Sequence, residues 1–113
     1  MEHIEEVGIH SSDYACSIAT KIIPSTCLET IRLCTVHLAK QLYVDELMNC
    51  QYAITPSMDV FLLEANPRAS CTVPVPFVSK VINHPLAKYV SLMMFGKTFY
   101  DLQFTKKVIP KYV

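Results

Sequence analysis

The 113-residue sequence predicts an α+β fold: a central antiparallel sheet with helices packed against it. Two observations carry that expectation. Residues 46 to 54 and 59 to 64 are apolar runs with period-2 alternation, separated by the turn-forming Thr55-Pro56-Ser57-Met58. Two other stretches place apolar residues at helical spacing between helix start and stop signals.

Residues 1 to 24 read as strand and loop, with Gly8 and Ser11-Ser12-Asp13 supplying turn chemistry. A helix is expected to start at Thr26, where Thr26-Cys27-Leu28-Glu29 has the form of a capping box. Its apolar stripe is Cys27, Ile31, Cys34, Leu38 and Leu42. In the hairpin that follows, alternation sorts Met48, Cys50, Tyr52 and Ile54 onto one face and Asn49, Gln51 and Ala53 onto the other. An even-numbered loop sets Gln51 on the same face as Leu62 and Glu64, with Phe61, Leu63 and Ala65 on the apolar side. After a Pro-rich loop at 72 to 76, a short helix is expected over Phe77 to Ile82. A further helix runs from Pro85 to just before Gly96, with Leu86, Val90, Met93 and Met94 as its apolar core stripe. From Leu102 to Val113 no turn-back is expected.

Composition narrows the function classes. Ten basic and ten acidic residues give no net charge and no basic stripe, which argues against nucleic acid as a partner. No apolar run approaches the ~18 residues of a membrane span, and the opening Met-Glu-His-Ile-Glu-Glu has the wrong charge for a signal or transit peptide. The five cysteines, with no C-x-x-C pair, read as reduced intracellular thiols. A zinc site made from them with His3, His10 or His37 fits no standard spacing.

The chemistry concentrates at residues 62 to 70. Glu64 and Asn66 sit two apart at the end of Val60-Phe61-Leu62-Leu63, so an extended strand projects a carboxylate and an amide oxygen from one face. Gln51 is expected on that face from the neighbouring strand. These hard oxygen donors suit magnesium, and Arg68 adds a fork that matches phosphate geometry. From geometry alone a solvated strand-end carboxylate fits Glu64 better than a cation ligand does.

Glu64-Ala65-Asn66-Pro67-Arg68-Ala69-Ser70 resembles the E-x-N-P-R signature of ATP-grasp ligases, and specifically the large chain of carbamoyl phosphate synthetases. Met1-Glu2-His3-Ile4-Glu5-Glu6-Val7-Gly8-Ile9-His10-Ser11 is similar to that family's E-H-I-E-x-A-G-x-H-S-G-D segment, and Leu47-Met48-Asn49-Cys50-Gln51-Tyr52-Ala53 to its L-M-N-x-Q-[FY]-A strand. Pro76-Phe77-Val78-Ser79-Lys80, Pro85-Leu86-Ala87-Lys88 and Val108-Ile109-Pro110 follow in family order. The wording resembles the second, carbamate-phosphorylating synthetase half, in its plant form.

The resemblance implies the C-terminal lobe of an ATP-grasp domain over residues 1–98, with 99–113 as its continuation. It implies ATP and magnesium (or manganese) as cofactors, with Gln51, Glu64 and Asn66 as metal ligands. Gly8, Ile9, His10 and Ser11, together with Gln51 and Glu64, would meet the nucleotide, and Arg68 would act on the transferred phosphate. Lys80 and Lys88 read as surface residues. The implied product is carbamoyl phosphate, for pyrimidine and arginine synthesis. The implied partners are the rest of the large chain or the glutaminase small chain, in chloroplast or cytoplasm.

The sequence departs from the family pattern at Ser12, Cys71 and Asn83, and in the doubled Val-Pro of Val73-Pro74-Val75-Pro76. The glycine-rich loop that covers the phosphates is expected upstream of Met1, since two glycines in all cannot build one. Three readings follow: part of a synthetase, inactive by itself; a non-catalytic remnant that binds Mg-ATP weakly or docks on an intact synthetase; and a product without a stable fold.

Overall fold

The computed structural model describes residues 2–3, 16–18, 20–45, 47–67 and 74–108. Two short strands, β1 (Glu2–His3) and β2 (Cys16–Ser17), pair antiparallel. The Glu2 carboxylate accepts hydrogen bonds from the Lys21 and Ile22 backbone N–H groups at 2.7 and 3.4 Å, tying β1 to the segment that leads into the first helix. Then come α1 (Ser25–Gln41), β3 (Asn49–Ile54), β4 (Val60–Asn66), α2 (Pro74–Ile82) and α3 (Leu86–Met94). The class is α+β as expected, but the central sheet is replaced by two separate two-stranded sheets, β1-β2 and β3-β4. Helix α1 packs on β4, whereas α2 and α3 pack on each other.

Helix α1 begins one residue earlier than expected and without the capping box. Pro24, extended at φ −60 and ψ 149, is the N-cap and makes no side-chain cap bond. Glu29 is held instead by Arg32, whose guanidinium donates to both carboxylate oxygens at 2.9 and 2.6 Å. The inward stripe differs too. Cys27 is buried and Ile31, Thr35 and Leu38 are half-buried, while Cys34 and Leu42 are exposed. Thr35 rather than Cys34 stands toward β3, where its hydroxyl lies 2.9 Å from that of Tyr52.

The Tyr52 hydroxyl is pushed up chiefly by burial, opposed by the Thr35 bond, with smaller upward contributions from Cys50 and Cys34 beside it. Burial likewise pushes the Cys50 thiol up, against a lowering hydrogen bond with Tyr52. At the other end of the seam, the Cys27 thiol donates to the Met58 carbonyl at 3.6 Å. Cys27, 4% exposed, is the buried apolar residue among those described.

The helix ends share one device. After α1, Tyr43 N–H bonds to the Lys40 carbonyl and Val44 N–H to that of Ala39, with Tyr43 at φ 52. After α2, Asn83 (φ 56) and His84 repeat the pattern on Lys80 and Ser79; after α3, Gly96 (φ 84) and Lys97 repeat it on Met93 and Leu92. This is the Schellman geometry, in which one left-handed residue satisfies the last carbonyls. Asn83 occupies the left-handed conformation that an asparagine side chain tolerates.

Tyr43 is the costly member, because its Cβ crowds the backbone in that conformation and its side chain, 90% exposed, gains little packing in return. Tyr43→Gly is expected to stabilise the chain by about 0.5–1 kcal/mol in a urea denaturation. A loss of stability would contradict the geometry.

Helix α2 takes in the Pro-rich segment from Pro74 on rather than following it. Prolines in a first helical turn lack only N–H groups that would have no intrahelical partner, so the doubled Val-Pro lengthens the helix instead of breaking it. In α3, Leu86, Val90 and Met93 are half-buried as expected, but Met94 is 71% exposed and is not core. Lys80 and Lys88 are exposed.

The tail does turn back. Thr98 N–H donates to the Asp101 carboxylate at 2.7 Å and Asp101 N–H to the Thr98 hydroxyl at 3.3 Å. The reversal places the Phe104 ring 4.9 Å from His84 and 5.4 Å from Tyr89.

Candidate functional site on the open face of the hairpin

The β3-β4 hairpin turns through Thr55 to Asp59, a five-residue loop rather than the expected four. Met58 N–H bonds to the Thr55 carbonyl and Thr55 N–H to that of Asp59, with Met58 left-handed at φ 69. Ile54 therefore pairs with Val60, Ala53 with Phe61 and Tyr52 with Leu62. Carried on unbroken, that register would put Glu64 opposite Cys50, on the side packed by α1.

A β-bulge prevents it. Leu63 has no partner, and beyond it Gln51 pairs with Glu64, Cys50 with Ala65 and Asn49 with Asn66. An extra residue in one strand reverses which side the following residues face. Glu64 and Asn66 thus share Gln51's face as expected, and Ala65 joins Cys50. The expected placing of Leu62 and Phe61 is reversed: Leu62 faces the Tyr52 side and Phe61 the Gln51 side.

Gln51 and Glu64 are direct cross-strand neighbours, a relation that sets Cβ atoms ~5 Å apart, and both are exposed. Asn66, half-buried, donates its amide N–H to Glu64 Oε1 at 2.7 Å. That bond orients the amide and leaves Asn66 Oδ1, Glu64 Oε2 and the Gln51 side-chain oxygen without a hydrogen-bond donor among the described residues. Three oxygens and one negative charge, open to solvent, suit a hard cation that keeps several of its waters. Phe61, 55% exposed, lies on the same face opposite Ala53 and gives the polar cluster an apolar neighbour.

Asn49 is the residue the sequence reading left out of the site. It stands opposite Asn66 on the shared face, and its signal was its position two before Gln51 in the alternation. Gly8, Ile9, His10, Ser11 and Arg68, and the departures at Ser12 and Cys71, lie outside the described residues. Among the described residues no group of three or more His, Cys, Asp or Glu side chains is placed to hold a metal, so the hairpin's candidate set rests on one carboxylate and two amides. No helix among them is long and apolar enough to cross a membrane.

No family model matches the chain. Individual proteins do, over its full length. It is 66% identical to the chloroplastic arginine-specific large chain of carbamoyl phosphate synthase from Arabidopsis thaliana and 62% identical to the protein of the same description from Oryza sativa subsp. japonica. It is 52% identical to the carbamoyl phosphate synthase large chain of a Nostoc species. All of this chain is covered in each case, but only 9%, 10% and 10% of those relatives. The hairpin with its paired Gln51 and Glu64, and every residue around it, therefore belongs to the carbamoyl phosphate synthase large-chain family, of which this chain spans one short segment.

Proposed function

We propose that this chain carries the magnesium- and nucleotide-binding strand pair of an ATP-grasp lobe, and that its parent activity is the ATP-dependent phosphorylation of carbamate to carbamoyl phosphate, a ligase chemistry. The observation that carries the reading is the bulged register: it sets Gln51 opposite Glu64 while Asn66 is oriented by its 2.7 Å bond to the same carboxylate. Gln51, Glu64 and Asn66 would hold magnesium, which would supply positive charge against the phosphates. Glu64 supplies the charge, Asn66 and Gln51 neutral oxygens. By family resemblance Gly8, Ile9, His10 and Ser11 meet the nucleotide, and Arg68 clamps the transferred phosphate. The product would feed pyrimidine and arginine synthesis.

Binding and turnover separate in this reading. A phosphorylated intermediate survives only where water is excluded, and Gln51 and Glu64 stand on an open face. The chain by itself therefore binds without synthesising carbamoyl phosphate. A second role, docking on the remainder of a large chain, is favoured by how little of the chain is covered: Phe61, Leu33 and Phe95 are exposed, and Cys27 is the one buried residue among those described. Chloroplast or cytoplasm is the compartment that goes with either role.

A thermal melt with and without saturating Mg-ATP tests the binding. Ligand at ~100 times its dissociation constant stabilises by about 2.7 kcal/mol, which moves the midpoint of a domain this size by several degrees. A cooperative transition indifferent to Mg-ATP would remove the binding role.

A further inference from the structure

The two outer edges of the β3-β4 hairpin differ. β4 has the unpaired Leu63 and the charged Glu64, two devices that keep a sheet edge from pairing with another chain. β3 has neither: Asn49-Cys50-Gln51-Tyr52-Ala53-Ile54 holds no charge, no proline and no extra residue. Among the described strands it pairs with β4 alone. The turn fixes which backbone groups are left over. Thr55 N–H donates to the Asp59 carbonyl at 3.0 Å, across the hairpin. Backbone groups alternate in direction along a strand, so those of Ala53 face β4 as well, and those of Cys50, Tyr52 and Ile54 face outward. Their N–H donors and carbonyl acceptors therefore line one uncharged edge.

We propose that this edge pairs antiparallel with the same edge of a second copy of the chain, giving a four-stranded sheet in the order β4-β3-β3-β4. A two-fold axis at Tyr52, perpendicular to the sheet, sets Tyr52 beside Tyr52 and Cys50 beside Ile54. Every outward residue then meets an outward residue.

Helix α1 decides between the edges, because it packs on β4. Joining the β3 edges holds the two β4 strands, and the helices over them, three strand spacings or about 14 Å apart. Packed helices need only about 8–10 Å, so both fit on the same face. Joining the β4 edges would leave a single spacing, and the helices would overlap. The same separation keeps the two Glu64 carboxylates beyond the ~8 Å screening length of physiological salt. A net charge of zero adds no repulsion between whole chains. Gln51, Glu64 and Asn66 stay open on the other face, and the pairing does not depend on a nucleotide.

Sedimentation equilibrium of the chain over a wide concentration range is the test, with amide hydrogen exchange on dilute and concentrated samples. Expected is a reversible rise in mass from one chain to two and no further. On concentration, exchange of the Cys50, Tyr52 and Ile54 amides should slow several-fold more than that of Ala53, which is already in the ladder to β4. Cys50→Pro removes an outward N–H and leaves the β3-β4 ladder its donors. Two-fold symmetry makes that two lost bonds, so this variant should dimerise about tenfold or more weakly. Should it lose the protection of its Ala53 amide, exchange in the parent chain decides alone. A single chain at every concentration, assemblies larger than two, outward amides slowed no more than Ala53, or an equally tight dimer in a folded Cys50→Pro chain would overturn the proposal.

Discussion

Glu64→Lys is expected to abolish the response to Mg-ATP while changing the ligand-free melt by less than about 1 kcal/mol. Glu64 is the one formal charge of the candidate ligand set and it is exposed, so its folded-state contacts are few. The lysine does two things at the site. It replaces attraction for a divalent cation by repulsion, and it removes the acceptor that orients the Asn66 amide. The whole ligand-dependent stabilisation, about 2.7 kcal/mol at ~100-fold excess over the dissociation constant, should disappear. Glu64→Gln separates the two effects, since it keeps an acceptor for Asn66 but carries no charge. An intermediate response would divide them. Paramagnetic broadening of the Asn66 side-chain amide resonances by Mn²⁺ gives a second readout that does not need a cooperative melt. Undiminished broadening and an undiminished shift in Glu64→Lys would place the cation elsewhere.

The largest stability loss is expected at Cys27→Asp. Cys27 is 4% exposed, and its thiol meets the Met58 carbonyl at the hairpin tip. A carboxylate there faces a carbonyl oxygen, a second acceptor, and the favourable field of the first turn of α1 offsets this by only about 0.3–1 kcal/mol. Burying an unpaired charge costs roughly 3 kcal/mol or more, a large share of the 5–15 kcal/mol that holds a typical domain. Urea denaturation should show the transition displaced to low denaturant or lost. The sign of the pH dependence is a further check. Burial raises the folded-state pKa of such a carboxyl above its unfolded value, so the penalty is present at neutral pH and fades as pH falls toward the ordinary carboxylate range. Cys27→Ala, which loses a weak donor and some volume, should cost only about 1 kcal/mol. A Cys27→Asp chain within 0.5 kcal/mol of the parent would mean that α1 is not anchored through this residue.

Much of the architecture was legible because local chemistry decides it. The α3 stop at Gly96, the left-handed Asn83 and the alternation of β3 all follow from conformational rules that act over a few residues. The misreadings arise where a contact distant in sequence intervenes. Thr35 rather than Cys34 stands on the inner face of α1, where its hydroxyl meets that of Tyr52 on another element. The capping box at Thr26 is a local exception: α1 begins at Ser25 with Pro24 as its N-cap, which puts Thr26 inside the first turn. Polar residues at the site were placed correctly for an incomplete reason: a loop one residue longer and a bulge at Leu63 cancel, so Glu64 reaches Gln51's face although two steps of the reasoning differ from the structure. No period-2 pattern announces such a cancellation, since Leu63 is as apolar as its neighbours.

The bulge also separates two clocks within one hairpin. From the tip, counting outward from Ile54 and Val60, the strands keep one phase as far as Tyr52 and Leu62; from Gln51 and Glu64 onward they keep the other. The unpaired Leu63 between them is the one residue of β4 that the ladder does not count. A lineage could lose it, restoring an unbroken ladder, and every remaining pair would still meet its present partner. Leu63 is thus a spare residue, whose loss would leave the turn end and the ligand end each with its present pairing.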